Sequence, residues 1–248
     1  MKHFIAIALL ATLTTSELAA QEKSKEVYEL RVYELTMGSL SHMESYFTKA
    51  LIPALNRQGV KNVGVFREIG KSEPAKMYVL IPHASMTEYG KSREALRKDS
   101  EYQTASEAYN QLASPVYGRY ETSLMVAFEG LPSMIVPDNS ERIFELRTYQ
   151  GYSDDAVRRK IRMFNEGELD IFYRTKLNPV YFGEMISGKD LPCLQYMITF
   201  RNMEERDTNW KAFSADPDWA RMSKDPQYAN TVSKILRVFL EPLPYSQI

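Results

Sequence analysis

Two stretches of this sequence alternate charged and phenolic side chains with apolar ones. Val27–Tyr33 reads VYELRVY and Ile143–Tyr149 reads IFELRTY, so Glu29, Arg31 and Tyr33 recur as Glu145, Arg147 and Tyr149. Alternation puts each trio on one face of an extended strand. There an arginine offers the fork that holds a carboxylate or an enolate, and a glutamate taken out of water can accept a proton near neutral pH. Glu29, Glu68, Glu145 and Glu184 are the candidate proton acceptors; Arg31, Tyr33, Arg147 and Tyr149 are the candidate ligand-holding groups. The same residues also suit a plain scaffold, a Glu and Arg network that fixes strand register or the contact between two halves. Because a neighbouring arginine pulls a glutamate's pKa down, spacing alone leaves both uses open.

Several other chemistries lose their expected residues. One cysteine, Cys193, and three histidines leave no thiolate cluster and no His or Cys at metal spacing. His42 and His83 read as surface or satisfied histidines, so a haem lacks a supported axial ligand and neither a cofactor nor a metal is expected. The sequence has no Gly-rich phosphate loop, GxSxG elbow or HExxH. Lys and Arg total 31 against 32 Asp and Glu, a net charge of -1, which removes the electrostatic basis for a nucleic-acid partner.

The elements that must position the candidates follow from periodicity. Val27–Leu35 reads as a strand; Leu40, Met43, Phe47, Ala50, Leu51 and Ala54 mark a helix that Pro53 should kink or end. Val63–Ile69 and Met77–Ile81 form a strand pair, Ser85–Asn110 a second helix and Tyr120–Phe128 a closing strand. In the second half Ser153 caps a helix whose stripe is Val157, Ile161, Phe164 and Phe172. The order βαββαβ is written twice. NVGVFREI at 62–69 falls on NPVYFGEM at 178–185, which aligns Phe66 with Phe182 and Glu68 with Glu184.

The resulting expectation is an α+β chain of tandem ferredoxin-like (βαββαβ) repeats that pack their antiparallel sheets open face against open face. The repeats span 26–128 and 142–248, joined by a linker at 129–141. The apolar face of Tyr28, Leu30 and Val32 is assigned to the helices, and the Glu29, Arg31 and Tyr33 face to the opposite side, which a closed barrel would turn inward. Lys2, the apolar run Phe4–Leu13 and the small residues Ala19 and Ala20 read as a secretory signal at 1–20, implying export to a periplasm or outside the cell with no stable membrane anchor after cleavage.

YELRVYEL, FELRTYQ, NVGVF and above all NWKAFSADPDWARM at 209–222 resemble the NIPSNAP family, within the dimeric α/β barrel superfamily. Trp210, Phe213, Asp216, Pro217 and Trp219 are the most distinctive part, read from spacing as a helix break packed on a sheet; the first copy's SREALRKDSEYQTA departs from it. The resemblance implies the barrel fold and no agreed chemistry. Related barrel families include monooxygenases, haem enzymes and small-molecule degradation enzymes. The functional expectation is a small organic ligand in a polar barrel interior. Its rivals are a cofactor-independent monooxygenase or isomerase and a protein-interaction scaffold. The two copies form an intrachain pseudo-dimer, with further homo-oligomerisation left open.

Overall fold

A computed structural model describes residues 24–70, 72–138 and 140–248; the expected signal at 1–20 lies outside the described residues. The first copy runs β1 (Val27–Leu35), α1 (Leu40–Tyr46), a π-turn (Phe47–Leu51), α2 (Ile52–Arg57), β2 (Gly64–Glu68), β3 (Lys76–His83), α3 (Met86–Lys98), α4 (Ser100–Asn110) and β4 (Tyr117–Ala127). The second runs β5 (Ile143–Gln150), α5 (Asp154–Met163), a π-turn (Phe164–Glu168), α6 (Leu169–Arg174), β6 (Pro179–Ser187), β7 (Cys193–Phe200), α7 (Met203–Ala215), α8 (Pro217–Met222) and β8 (Lys234–Pro242).

The eight strands close a barrel in the order β1-β3-β2-β8-β5-β7-β6-β4. Each copy supplies four adjacent strands, and two antiparallel seams join the copies edge to edge, β2 with β8 and β4 with β6. Closure leaves neither sheet an exposed edge. The second long helix expected over Ser85–Asn110 is broken at Asp99, whose extended backbone ends α3 while its carboxylate caps α4 by accepting from the Tyr102 amide. Pro53 sits just after the π-turn that interrupts the run, within the last turns of the helix.

The interior reverses one expectation. Its core draws from all eight strands and is mainly apolar: Tyr28 and Leu30 of β1 lie with Phe144 and Leu146 of β5, with Phe66, Leu80, Tyr181 and Leu240 around them, and the Tyr181 hydroxyl donates to Gln195, whose amide donates to Thr148. Rings from opposite copies touch inside it, Tyr28 with Tyr181 at 4.8 Å and Phe66 with Phe144 at 4.9 Å between centroids. Eight strands enclose a space just wide enough for side chains to fill. The expected polar barrel interior is therefore replaced by a packed aromatic one. Tyr33 and Tyr149 belong instead to the cores between each sheet and its helices, and alternation carries Glu29, Arg31, Glu145 and Arg147 to that same side.

The second correction is a one-residue slip. Phe66 pairs with Tyr78 in the first copy, and in the second it is Gly183 that pairs with Gln195 at the matching place, because a bulge interrupts β6 at its start. Val65 and Phe182 are thus the equivalent pair, both packed under helices. Since side chains alternate along a strand, the slip puts Glu68 and Glu184 in different settings. Glu68 sits half-buried and accepts a hydrogen bond from the Tyr78 hydroxyl; Glu184 is exposed on the outer side of β6.

Candidate functional site

In the second copy the ELR strand lies beneath α5, the π-turn and α7. Glu145 is fully buried and accepts from Arg147 Nε at 2.7 Å, Arg206 Nε at 2.8 Å, Arg206 Nη2 at 3.1 Å and Trp210 Nε1 at 3.0 Å. Burial alone would raise its pKa; the hydrogen bonds and charges of Arg206, Arg147 and Trp210 reverse the sign and hold it below the usual carboxylate value. Such a glutamate is a poor proton acceptor. Arg147 lies under the Trp210 ring, 4.0 Å from its centroid, and its Nη1 donates to Tyr149 Oη at 3.0 Å and Tyr196 Oη at 3.3 Å. The two hydroxyls are 2.9 Å apart.

Next to this pair sits a buried ion pair that periodicity alone did not single out. Lys160 Nζ donates to Glu168 Oε2 at 2.5 Å, both residues almost inaccessible to water. The ammonium group is ringed by Phe164, Trp219 and Tyr149, at 4.5, 5.4 and 5.8 Å from their centroids. Desolvation raises the Glu168 pKa, with the Lys160 charge and hydrogen bond opposing it. Glu168 ends the π-turn, whose Gly167 has φ 159°, a conformation that side chains avoid. The sequence signal was present: Lys160 falls three residues after Val157 and four before Phe164, a charge on the apolar stripe.

The first copy places the same motif on a different background. Arg31 grips Glu29 with two hydrogen bonds, 2.8 and 3.1 Å, and Arg93 of α3 approaches to 3.6 Å. Burial pushes the Glu29 pKa up, but His83 and Arg31 outweigh it and hold the carboxyl at about 2. Tyr33 stacks on Tyr120 and meets Phe47 and Tyr117 edge-on; burial raises its hydroxyl pKa to about 12 against the opposing pull of Arg31. The expected surface or satisfied state of His83 is not what the structure has. Its ring is buried, faces Tyr89, and holds neither nitrogen in an ordinary hydrogen bond; Nε2 reaches only to 3.5 Å from Glu29 Oε2. His42 is exposed on α1. Cys193 lies in the barrel core, where burial raises its thiol to about 11.

The NIPSNAP sequence profile matches residues 28–117 and again 144–247. The chain belongs to the NIPSNAP family. Comparison with curated protein sequences returned no match. Solved structures similar to this NIPSNAP chain include a candidate monooxygenase from Lactobacillus acidophilus, 10% identical with TM-score 0.61 over 88% of this chain and 94% of that one. A second candidate monooxygenase, from Fusobacterium nucleatum, is 10% identical with TM-score 0.58 over 89% and 93%. Chlorite dismutase from Candidatus Nitrospira defluvii is 8% identical with TM-score 0.51 over 90% and 92%. At these identities the likeness is one of fold.

The tryptophan-rich segment that most resembles NIPSNAP lies against the second copy's polar cluster. Trp210 bonds Glu145 and covers Arg147, and Trp219 lies beside Lys160. Asp216 accepts from the amides of Asp218 and Trp219 to cap α8, and Arg174 grips it with two hydrogen bonds. Read from spacing alone as core, these residues are also the roof over the buried charges.

Proposed function

We propose that this NIPSNAP chain binds a small organic molecule, and that its working site is the helix-facing layer of the second copy, built by Arg147, Tyr149, Lys160, Glu168 and Tyr196. The observation that carries this reading is a comparison inside one molecule. The π-turns of the two copies end at Leu51 and Glu168; four residues before each π-turn stand Met43 and Lys160; and where Arg147 pairs across strands with Tyr196, Arg31 pairs with Val79. The first copy thus builds the same layer from Met43, Leu51 and Val79, all fully buried. A buried ion pair does not stabilise a fold better than apolar residues of similar volume. Folding alone therefore gives no reason for Lys160, Glu168 and Tyr196, and ligand chemistry does.

The arrangement also favours a proton-transfer enzyme that needs no cofactor. Glu168 has its pKa raised by desolvation and suits an acid or base role, while the Tyr149 and Tyr196 hydroxyls, ordered by Arg147, suit an enolate or other oxyanion. Glu145, held ionised, orients Arg147 and Trp210. The π-turn and α8 are the parts that must shift to admit a ligand, with Gly167 packed against the Met222 methyl group. We further infer export, on the signal-like segment from Lys2 to Ala20.

Native mass spectrometry of the protein purified from its own host tests the binding reading. A retained small molecule that is lost in the Lys160→Met/Glu168→Leu/Tyr196→Val variant, with the fold intact, supports it. A molecule retained equally by that variant refutes the assignment to the second copy.

A further inference from the structure

A second site, in the first copy, is built from polar groups left without partners. A pocket of about 610 Å³ opens between the end of α2, α3 and the last residue of β3. Its lining includes His83, Gln58, Ser92, Lys61 and Lys91. His83 Nδ1 and Gln58 Nε2 are buried without a hydrogen bond, while His83 Nε2 faces Glu29 Oε2 at 3.5 Å. A buried polar group left unpaired is costly, so two such atoms at one pocket call for an occupant that pairs them.

The second copy shows how the same place looks when nothing is left over. His83 ends β3 and Phe200 ends β7, each across from the first residue of its ELR strand. Gln58 terminates α2 where Thr175 terminates α6, and Thr175 Oγ1 bonds the Ile171 carbonyl. Ser92 is the seventh residue of α3, and Asn209, the seventh of α7, donates to the Lys176 carbonyl. The fold is compatible with a satisfied version, and the first copy departs from it at each of these positions.

The chemistry of the vacant groups selects the occupant. The Ser92 hydroxyl donates to Gln58 Oε1 at 2.7 Å, which turns the amide N–H groups toward the free side. Of the charges nearby, Glu88 is paired with Lys91 at 2.7 Å and Glu26 accepts from the Met134 amide, while Lys61 has no salt bridge among the described residues. Beneath, the single charge of Glu29 faces two guanidinium groups, Arg31 and Arg93. The charges of the lining cancel, the groups beneath add one positive charge, and the free amide is a donor. Val60, Pro82, Ala84 and Ala95 provide an apolar wall.

We propose that this pocket binds a small organic carboxylate, its oxygens accepting from Gln58 and His83 and its apolar body resting on that wall. Isothermal calorimetry of benzoate into the full chain tests it, with benzamide as the uncharged match and NMR of the His83 imidazole locating the event. The expected result is saturable benzoate binding that shifts the His83 signals, about tenfold or more weaker for benzamide, and about tenfold or more weaker in each of His83→Phe and Gln58→Leu. His83→Phe installs the second copy's residue, and Gln58→Leu serves should that variant misfold. The absence of a saturable His83 shift overturns the proposal, as does equal binding of benzamide or undiminished binding by Gln58→Leu. The Lys160→Met/Glu168→Leu variant keeps benzoate binding, so this site stands or falls independently of the one in the second copy.

Discussion

Lys160 and Glu168 meet at 2.5 Å in a layer where the first copy has Met43 and Leu51. The two charges lie eight residues apart on one helical run interrupted by a π-turn, and that turn brings Glu168 round to the ammonium group. The duplicated chain thereby carries its own control experiment.

Exchanging the pair tests whether folding needs it. Glu168→Leu or Lys160→Met alone strands a buried charge and should cost about 3–5 kcal/mol, whereas the double exchange should leave stability unchanged or raised. Chemical denaturation of the three variants reads this coupling. A double variant that remains less stable than the parent chain would show that folding needs the pair, and strictly additive losses would show that the two charges do not interact.

Both tryptophans, Trp210 and Trp219, belong to the second copy, so tryptophan fluorescence, excited selectively over tyrosine, reports on that layer alone. A ligand held by Arg147 and the tyrosine pair should change the emission, while benzoate in the first copy's pocket should leave it still. Trp210→Phe removes a hydrogen bond to a charged acceptor and should cost about 2 kcal/mol. An emission change on adding benzoate would contradict the separation of the two sites.

Glu29 gives stability a definite pH dependence. Its pKa is depressed from the ordinary 4.5 to about 2, so its contribution is fully present above about 4.5 and is lost as pH falls towards 2. Glu29→Gln should therefore cost about 3 kcal/mol at neutral pH, and the gap to the parent chain should close on acidification. Denaturation midpoints from pH 7 down to the acid limit measure the gap; one that stays constant would mean that Glu29 keeps an ordinary pKa.

Closure of the barrel depends on a residue without a side chain. A Cβ at Gly183 would stand 2.7 Å from the Met125 Cβ across the β4–β6 seam. Gly183→Ala should cost about 1–3 kcal/mol by forcing the strands apart. A thermal midpoint equal to that of the parent chain would show that the seam can yield.

Much of this could be read from the residues. The matching ELR strands, the strand and helix order and the two ferredoxin-like copies emerged from period-two and helical patterns, as did the pairing of glutamate with arginine within each strand. Tyr196, Lys160 and Glu168 did not emerge, because the contact that unites them joins β7, α5 and a π-turn, and no periodicity encodes which side chains meet across a layer. The alignment of Phe66 with Phe182 was plausible letter by letter and wrong by one residue, since a bulge at the start of β6 shifts the register without leaving a mark in composition.

The sequence by itself determined that Glu29, Arg31 and Tyr33 share one face of a strand, and that Glu145, Arg147 and Tyr149 share another, because side chains alternate along an extended backbone. Only the tertiary structure decided which way those faces look. A sheet with one wet face declares its inside by polarity, but a closed barrel covered by helices buries both faces. The apolar face filled the barrel, and the charged one lies beneath the helices, where Arg206, Trp210 and Arg93 reach it.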